Sequence, residues 1–178
     1  MSPAEAKNFE TAPEKAFTIT RTLDAPRELV WKCRTDINHM KQWWAPMGTK
    51  IVADSTLELK PDGMFHYGMD LPDGNLMWGK MVFREIKAPE FFECVLAFSD
   101  KDRGTTRHPM APVWPVETLS RTTFTEKDGK TIMEITLRAI NATQEERDLF
   151  DASHDSMNMG FSRTLEQFAA YLAKVQSK

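Results

Sequence analysis

The stretch NATQEERDLFDASHDSMNMGFSRTLEQFAAYLAKVQ, Asn141 to Gln176, decides the fold. Thr143 and Glu146 have capping-box spacing at its start and no proline interrupts it, so it reads as one long helix. At about 1.5 Å per residue, some thirty residues extend roughly 45 Å, enough to cross a whole curved sheet. Phe150, His154, Met157, Phe161, Leu165, Phe168 and Leu172 recur at three- and four-residue steps and form one inward stripe. All but His154 are large and apolar. Gly160, beside Phe161, offers room for a close approach of helix and sheet.

The chain before this helix supplies the sheet. FTITRTL, Phe17 to Leu23, alternates as a half-buried strand. DAPRELVWKCRTD follows as a helix, with Asp24 placed to cap, Pro26 in the first turn, and Val30, Cys33 and Ile37 at helical spacing. INHMKQWW gives a second short helix that stops at APMG. Strands are then expected over 50–58, 63–70, 75–87, 90–99, 116–126 and 130–140, joined where KPDG, LPDG and EKDGK provide hairpin turns. A sheet with one apolar face covered by one long helix is an α+β fold. Residues 1–16 are polar and lack periodicity, so they read as a loose tail ahead of one domain over 17–176.

Composition narrows the function. Net charge is −3 with Lys and Arg dispersed among Asp and Glu, which leaves no basic stripe for nucleic acid. No apolar run is long enough to enter a membrane, and the N-terminus lacks the pattern of a secretory signal, so a cytoplasmic protein is expected. Cys33 and Cys94 then read as buried free thiols. His39, His66, His108 and His154 lie in four different elements without ligand spacing, and no glycine-rich phosphate loop is present; no metal and no cofactor are expected. Eleven methionines, eleven phenylalanines and five tryptophans remain to be explained, either as core or as the lining of an adaptable binding surface.

One connection is unusual. TRHPMAPVWP, Thr106 to Pro115, lies within a run from Ser99 to Pro115, long for a link between two strands and stiffened by three prolines. It reads as a lid that holds Met110 and Trp114 against an apolar surface with Arg107 and His108 at the mouth, or else as an arm packed outside the sheet or on a second subunit of a homodimer.

LDAPRELVWKCRTDINHMKQWWAP, PDGMFHYGMDLPDG, MWGKMVFREIKAPE, TRHPMAPVWPVE, NATQEE and HDSMNMGFSRTLEQFAAYLA together resemble the SRPBCC (START-like, helix-grip) superfamily. Within it they resemble the activator-of-Hsp90-ATPase-homologue-like group, over Phe17 to Lys174. The resemblance implies a curved antiparallel sheet gripping the C-terminal helix, with a cavity for a hydrophobic small molecule between them. It does not carry a reaction, because the superfamily hosts carriers, receptors, cyclases and resistance proteins. The Hsp90 co-chaperone has a further N-terminal domain that residues 1–16 are too short to hold, so a chaperone partner is implied only weakly.

Candidate contacts for a ligand follow from these faces. On the helix they are His154, Met157 and Phe161. In GMFHYGMD, alternation turns Phe65, Tyr67 and Met69 inward and leaves His66 facing solvent or a loop. The next strand turns Met77, Gly79, Met81 and Phe83 inward, and Met81 joins the candidates. One of Trp43 and Trp44 fills the core while the other can edge the cavity; Trp44 is taken as a candidate, with Trp114, His108 and Arg107 from the long loop. A carrier or sensor needs only one orienting polar group. The alternative, a cyclase, dehydratase or hydrolase, would draw on His154 and Tyr67, with Arg107 or His108, and requires His154 and another titratable group to converge within about 3–6 Å in the pocket.

Overall fold

The computed structural model describes residues 16–178; the tail expected over 1–16 therefore lies outside the described residues except for Ala16. The strands are β1 (Phe17–Leu23), β2 (Lys50–Ile51), β3 (Thr56–Leu57), β4 (Met64–Asp70), β5 (Leu76–Lys87), β6 (Phe91–Ser99), β7 (Thr105–Thr106), β8 (Glu117–Lys127) and β9 (Lys130–Ile140). The helices are α1 (Arg27–Thr35), α2 (Ile37–Trp43), α3 (Gln144–Ala152) and α4 (His154–Gln176). All strands pair antiparallel in one sheet of order β1-β9-β8-β6-β5-β4-β2, with β3 also on β4 and β7 on the end of β6. The sheet curls around α4, the expected α+β arrangement.

The alternation read from β1 holds: Phe17, Ile19 and Leu23 are buried while Thr18, Thr20 and Thr22 are exposed. The β8–β9 hairpin turns through Asp128 and Gly129 at φ 54° and 76°, the left-handed pair that such a two-residue turn requires. Trp31, Phe83, Phe92 and Phe124 interlock in edge and tilted contacts, 5.4–6.0 Å between ring centroids. Gln167 of α4 donates to the carbonyls of Trp43 and Ala45 at 3.2 and 2.9 Å, satisfying the C-terminal end of α2 and fixing it against the long helix.

Four expectations need correction. The C-terminal segment is two helices, because Ser153 leaves helical geometry at φ −97° and ψ 3° and its hydroxyl bonds the Leu149 carbonyl at 2.7 Å, a local alternative to the backbone ladder. The capping box at its start is present as read, with Glu146 N–H donating to Thr143 Oγ1 and Thr143 N–H donating to the Glu146 carboxylate. Asp24 does not cap α1; Pro26 occupies that position and Asp24 faces Lys130 at 3.8 Å. The span 50–58 is two short ladder segments, β2 and β3, rather than one strand, and β7 adds a pair where an unpaired loop was expected. Cys33 and Cys94 are buried free thiols, as read.

Candidate functional site

Registers within the sheet bring a specific set of side chains together. Tyr67 stands opposite Gly79, Gly79 opposite Phe98, and Phe65 opposite Met81, so the inner faces of β4, β5 and β6 form one continuous wall. Gly79 makes room for the Tyr67 ring to lie across the strand: a Cβ there would sit 2.6 Å from the tyrosine oxygen. Phe65 stacks on Tyr67 at 4.6 Å from behind, and Trp44 meets both rings edge-on at 5.9 Å.

Between this wall and the N-terminal half of α4 lies a cavity of about 560 Å³, within the range of sites for small organic molecules. The sheet contributes Tyr67, Met69, Leu96 and Phe98; α4 contributes Met157, Gly160, Phe161 and Thr164. Trp44 and Pro46 close one side, and His108, Ala111 and Trp114 of the long loop close another. A smaller lobe of about 190 Å³ shares Tyr67, Trp114, Met157 and Phe161 and runs inward to Thr118, Leu137 and Phe150. A groove of about 660 Å³ beside it, over Met47, Arg163, Glu166 and Gln167, carries charged side chains in its wall, so the aromatic cavity is the one suited to an apolar molecule.

Seven of the candidates read from sequence, Tyr67, Met69, Trp44, Trp114, His108, Met157 and Phe161, line the cavity. The other four are not in its wall. Phe65 and Met81 face inward but are completely covered, one layer behind. Arg107 turns away: its Nη1 donates to the Glu146 carboxylate at 2.8 Å and to the Pro112 carbonyl at 3.0 Å, tying the loop to the start of α3. His154 sits between Phe17 and Phe150, at 5.7 and 5.4 Å, because the break at Ser153 starts α4 there and sets the ring against β1. Its Nε2 is buried without a hydrogen bond among the described residues, with Asp151 Oδ1 at 4.0 Å.

Two readings of neighbouring residues change, and a third narrows to one of its alternatives. Met110, expected against an apolar surface, is 81% exposed at the tip of the loop. Gly160 does not serve close packing, since a Cβ there would meet nothing within 4 Å; it widens the cavity mouth. His66 is buried on the outer face of the sheet, stacked on Trp78 at 4.6 Å and donating to the Asp100 carbonyl at 2.9 Å, beneath a loop as one of its two alternatives had it.

The residue that sequence reading missed is Arg34. Only 4% exposed, it lies among the buried residues of α1, with Val30, Trp31 and Cys33. Its guanidinium carbon is 4.7 Å from the Trp44 ring centre and 4.9 Å from that of Phe92, a cation between two aromatic faces. Helical spacing from Val30 was the signal that would have placed it inward. Burial lowers its pKa to about 10, which still leaves it charged at neutral pH. Burial also pushes the Tyr67 hydroxyl up from its ordinary value, while a hydrogen bond from Trp44 and the Arg34 charge oppose that rise. His108 is lowered by burial and accepts the Met110 N–H at Nδ1, so it is a neutral ring with its proton on Nε2. The cavity thus offers large aromatic surfaces, a few hydrogen-bonding groups and no carboxylate in its wall. Among the described residues no group of three metal-ligating side chains occurs, and no helix is long and apolar enough to cross a membrane.

The family described as Activator of Hsp90 ATPase homolog 1-like protein matches residues 24–173. The chain belongs to this family. Solved structures share the helix-grip architecture of this chain: a solution structure from Arthrobacter aurescens aligns at a TM-score of 0.72 with 25% identity, covering 90% of this chain and 87% of the other. Crystal structures from Nitrosomonas europaea and Rhodobacter sphaeroides align at TM-scores of 0.70 and 0.71 with 21% and 18% identity, covering 93% and 90% of this chain and 99% and 93% of theirs. No curated protein sequence matches the chain.

Proposed function

We propose that this protein binds a hydrophobic small molecule in the cavity between sheet and α4, as a carrier or sensor. The observation that supports this is the cavity itself: about 560 Å³ of space bounded by Trp44, Tyr67, Phe98, Trp114, Met157 and Phe161, where a fold built only for stability would close. Aromatic walls favour a flat, aromatic or polycyclic ligand, because rings offer large contact area and defined stacking geometry. The loop from Asp100 to Val116 acts as the lid, with His108, Ala111 and Trp114 as its inner surface. Free thiols at Cys33 and Cys94 fit a cytoplasmic setting.

The enzyme alternative asked for His154 and a second titratable group in one cavity, and His154 is not in the wall. Binding therefore carries the reading.

Titration with phenylnaphthylamine, a neutral fluorophore that brightens in apolar sites, tests it. The wild-type protein should bind the dye saturably. Gly160→Phe should reduce binding at least about tenfold while leaving the fold intact, since the new ring enters the mouth and glycine is a poor helix former. A wild-type protein that leaves the dye dark refutes the proposal. Deletion of residues 104–113 tests the lid: unchanged dye affinity would remove that role from the loop.

A further inference from the structure

Among the described residues, Arg34 is a buried cation without a counter-ion. Its Nη1 and Nη2 reach only the thioethers of Met40 and Met81, at 3.8 and 3.7 Å, and a thioether is a weak acceptor. The ionisable groups whose fields act on it are Cys94 and Tyr67, and burial keeps both protonated. Two aromatic faces accommodate the guanidinium plane, but ring quadrupoles do not neutralise a full charge, and removing a charge from water is costly unless it is paired.

The position of this charge is what gives it meaning. Trp44 carries Arg34 on one face and borders the cavity, and the Tyr67 ring beside it also lines the cavity. Arg34 therefore stands one ring behind the cavity wall, on the side where Tyr67 and Trp44 provide the polar atoms. In an apolar surround its potential is poorly screened and extends into the cavity.

We propose that the cavity selects hydrophobic ligands bearing one acidic oxygen, a carboxylate or an ionised phenol, placed against the Tyr67 hydroxyl with Arg34 as its counter-ion across the wall. Tyr67 donates its hydroxyl proton to that oxygen, and the aromatic body of the ligand lies along Phe161, Met157 and Trp114. Arg34 is a specificity residue that acts through the field and does not touch the ligand. This rests on the cavity being a binding site.

The test separates the two ideas. With phenylnaphthylamine bound as a neutral reporter, naphthylacetic acid and its methyl ester are compared as displacing ligands. Wild-type protein should bind the acid about tenfold or more tightly than the ester, the range of a charge-assisted interaction. Arg34→Met should abolish that preference while changing dye and ester affinity by less than about twofold, and Arg34→Lys should retain part of it. A structural role alone would move dye, ester and acid together. Should Arg34→Met fail to fold, the wild-type ratio and Tyr67→Phe, which should also weaken acid over ester, still decide. An acid bound no better than its ester, or a preference that survives Arg34→Met, overturns the proposal while leaving the binding reading in place; failure of the dye itself to bind overturns both.

Discussion

The two halves of α4 share one apolar stripe and meet different fates. Leu165, Phe168 and Leu172 are buried completely, and Phe168 stacks flat on Trp43 with ring centres 3.9 Å apart. Met157 and Phe161, earlier on the same face, border open space, even though the Phe161 ring also meets Phe17 of β1 at 5.4 Å. Large apolar side chains occupy the stripe in both halves. The difference lies in what stands opposite: α2 lies across the C-terminal half and supplies Trp43, while the N-terminal half looks onto Phe98 and onto Tyr67, whose ring lies over Gly79. The adjacent tryptophans mark the boundary. Trp43 closes one half, and Trp44, about 100° further round the backbone, borders the other.

Substitutions on either side of that boundary sharpen the contrast. The largest effect on stability is expected at Phe168→Ala, which removes the stacked ring from a filled core and should cost about 3–5 kcal/mol in denaturant unfolding. Phe161→Ala, the same chemical change in the open half, should cost about 1 kcal/mol because its ring is already partly exposed, yet it should lower dye affinity where Phe168→Ala in its folded fraction does not. Equal destabilisation by the two would show that the halves are packed alike. Gly79→Ala should leave the sheet in register but push Tyr67 off β5, reshaping the cavity; dye affinity that matches wild type would show that the ring position is not set there. A smaller effect is expected at Thr143→Ala, about 1 kcal/mol, through loss of the α3 cap.

The smallest is Arg107→Ala, and it depends on pH. Arg107 holds the Glu146 carboxyl below its ordinary value, so the pair stabilises the fold above the unfolded-state value near 4.5 and ceases to do so as pH falls through the lowered folded value. Because the arginine is half exposed, the loss near neutral pH should be about 0–1 kcal/mol, vanishing in acid. A difference that grows on acidification would contradict the sign.

Much of this was legible in the residues. Alternation in GMFHYGMD placed Phe65, Tyr67 and Met69 on the inner face, and the three- and four-residue steps of the C-terminal segment gave the stripe that meets them. Which inward residues reach the cavity was not legible, because periodicity assigns a face and says nothing of the depth of packing behind it. Phe65 and Met81 share the face of Tyr67 and are covered, while His154 sits on the stripe but ahead of the cavity. The break at Ser153 was invisible for a related reason: serine is tolerated in helices, and it is the backbone angle at Ser153, not the residue type, that ends this one. Arg34 was missed because a cation on a helix is ordinarily assumed to reach water.

The long loop has its two ends on opposite faces of the sheet. Its root is fixed on the outer face, where Asp100 receives the His66 N–H and Lys80 donates to the Arg103 carbonyl at 2.9 Å. Its far end is fixed on the inner face by Trp114 against Phe150, at 5.6 Å. A segment pinned on both sides of one sheet can change length only between the pins. Insertions and deletions should therefore be tolerated around the exposed Met110 and nowhere else in the connection, which makes the tip the place where cavities of different capacity can arise from one unaltered scaffold.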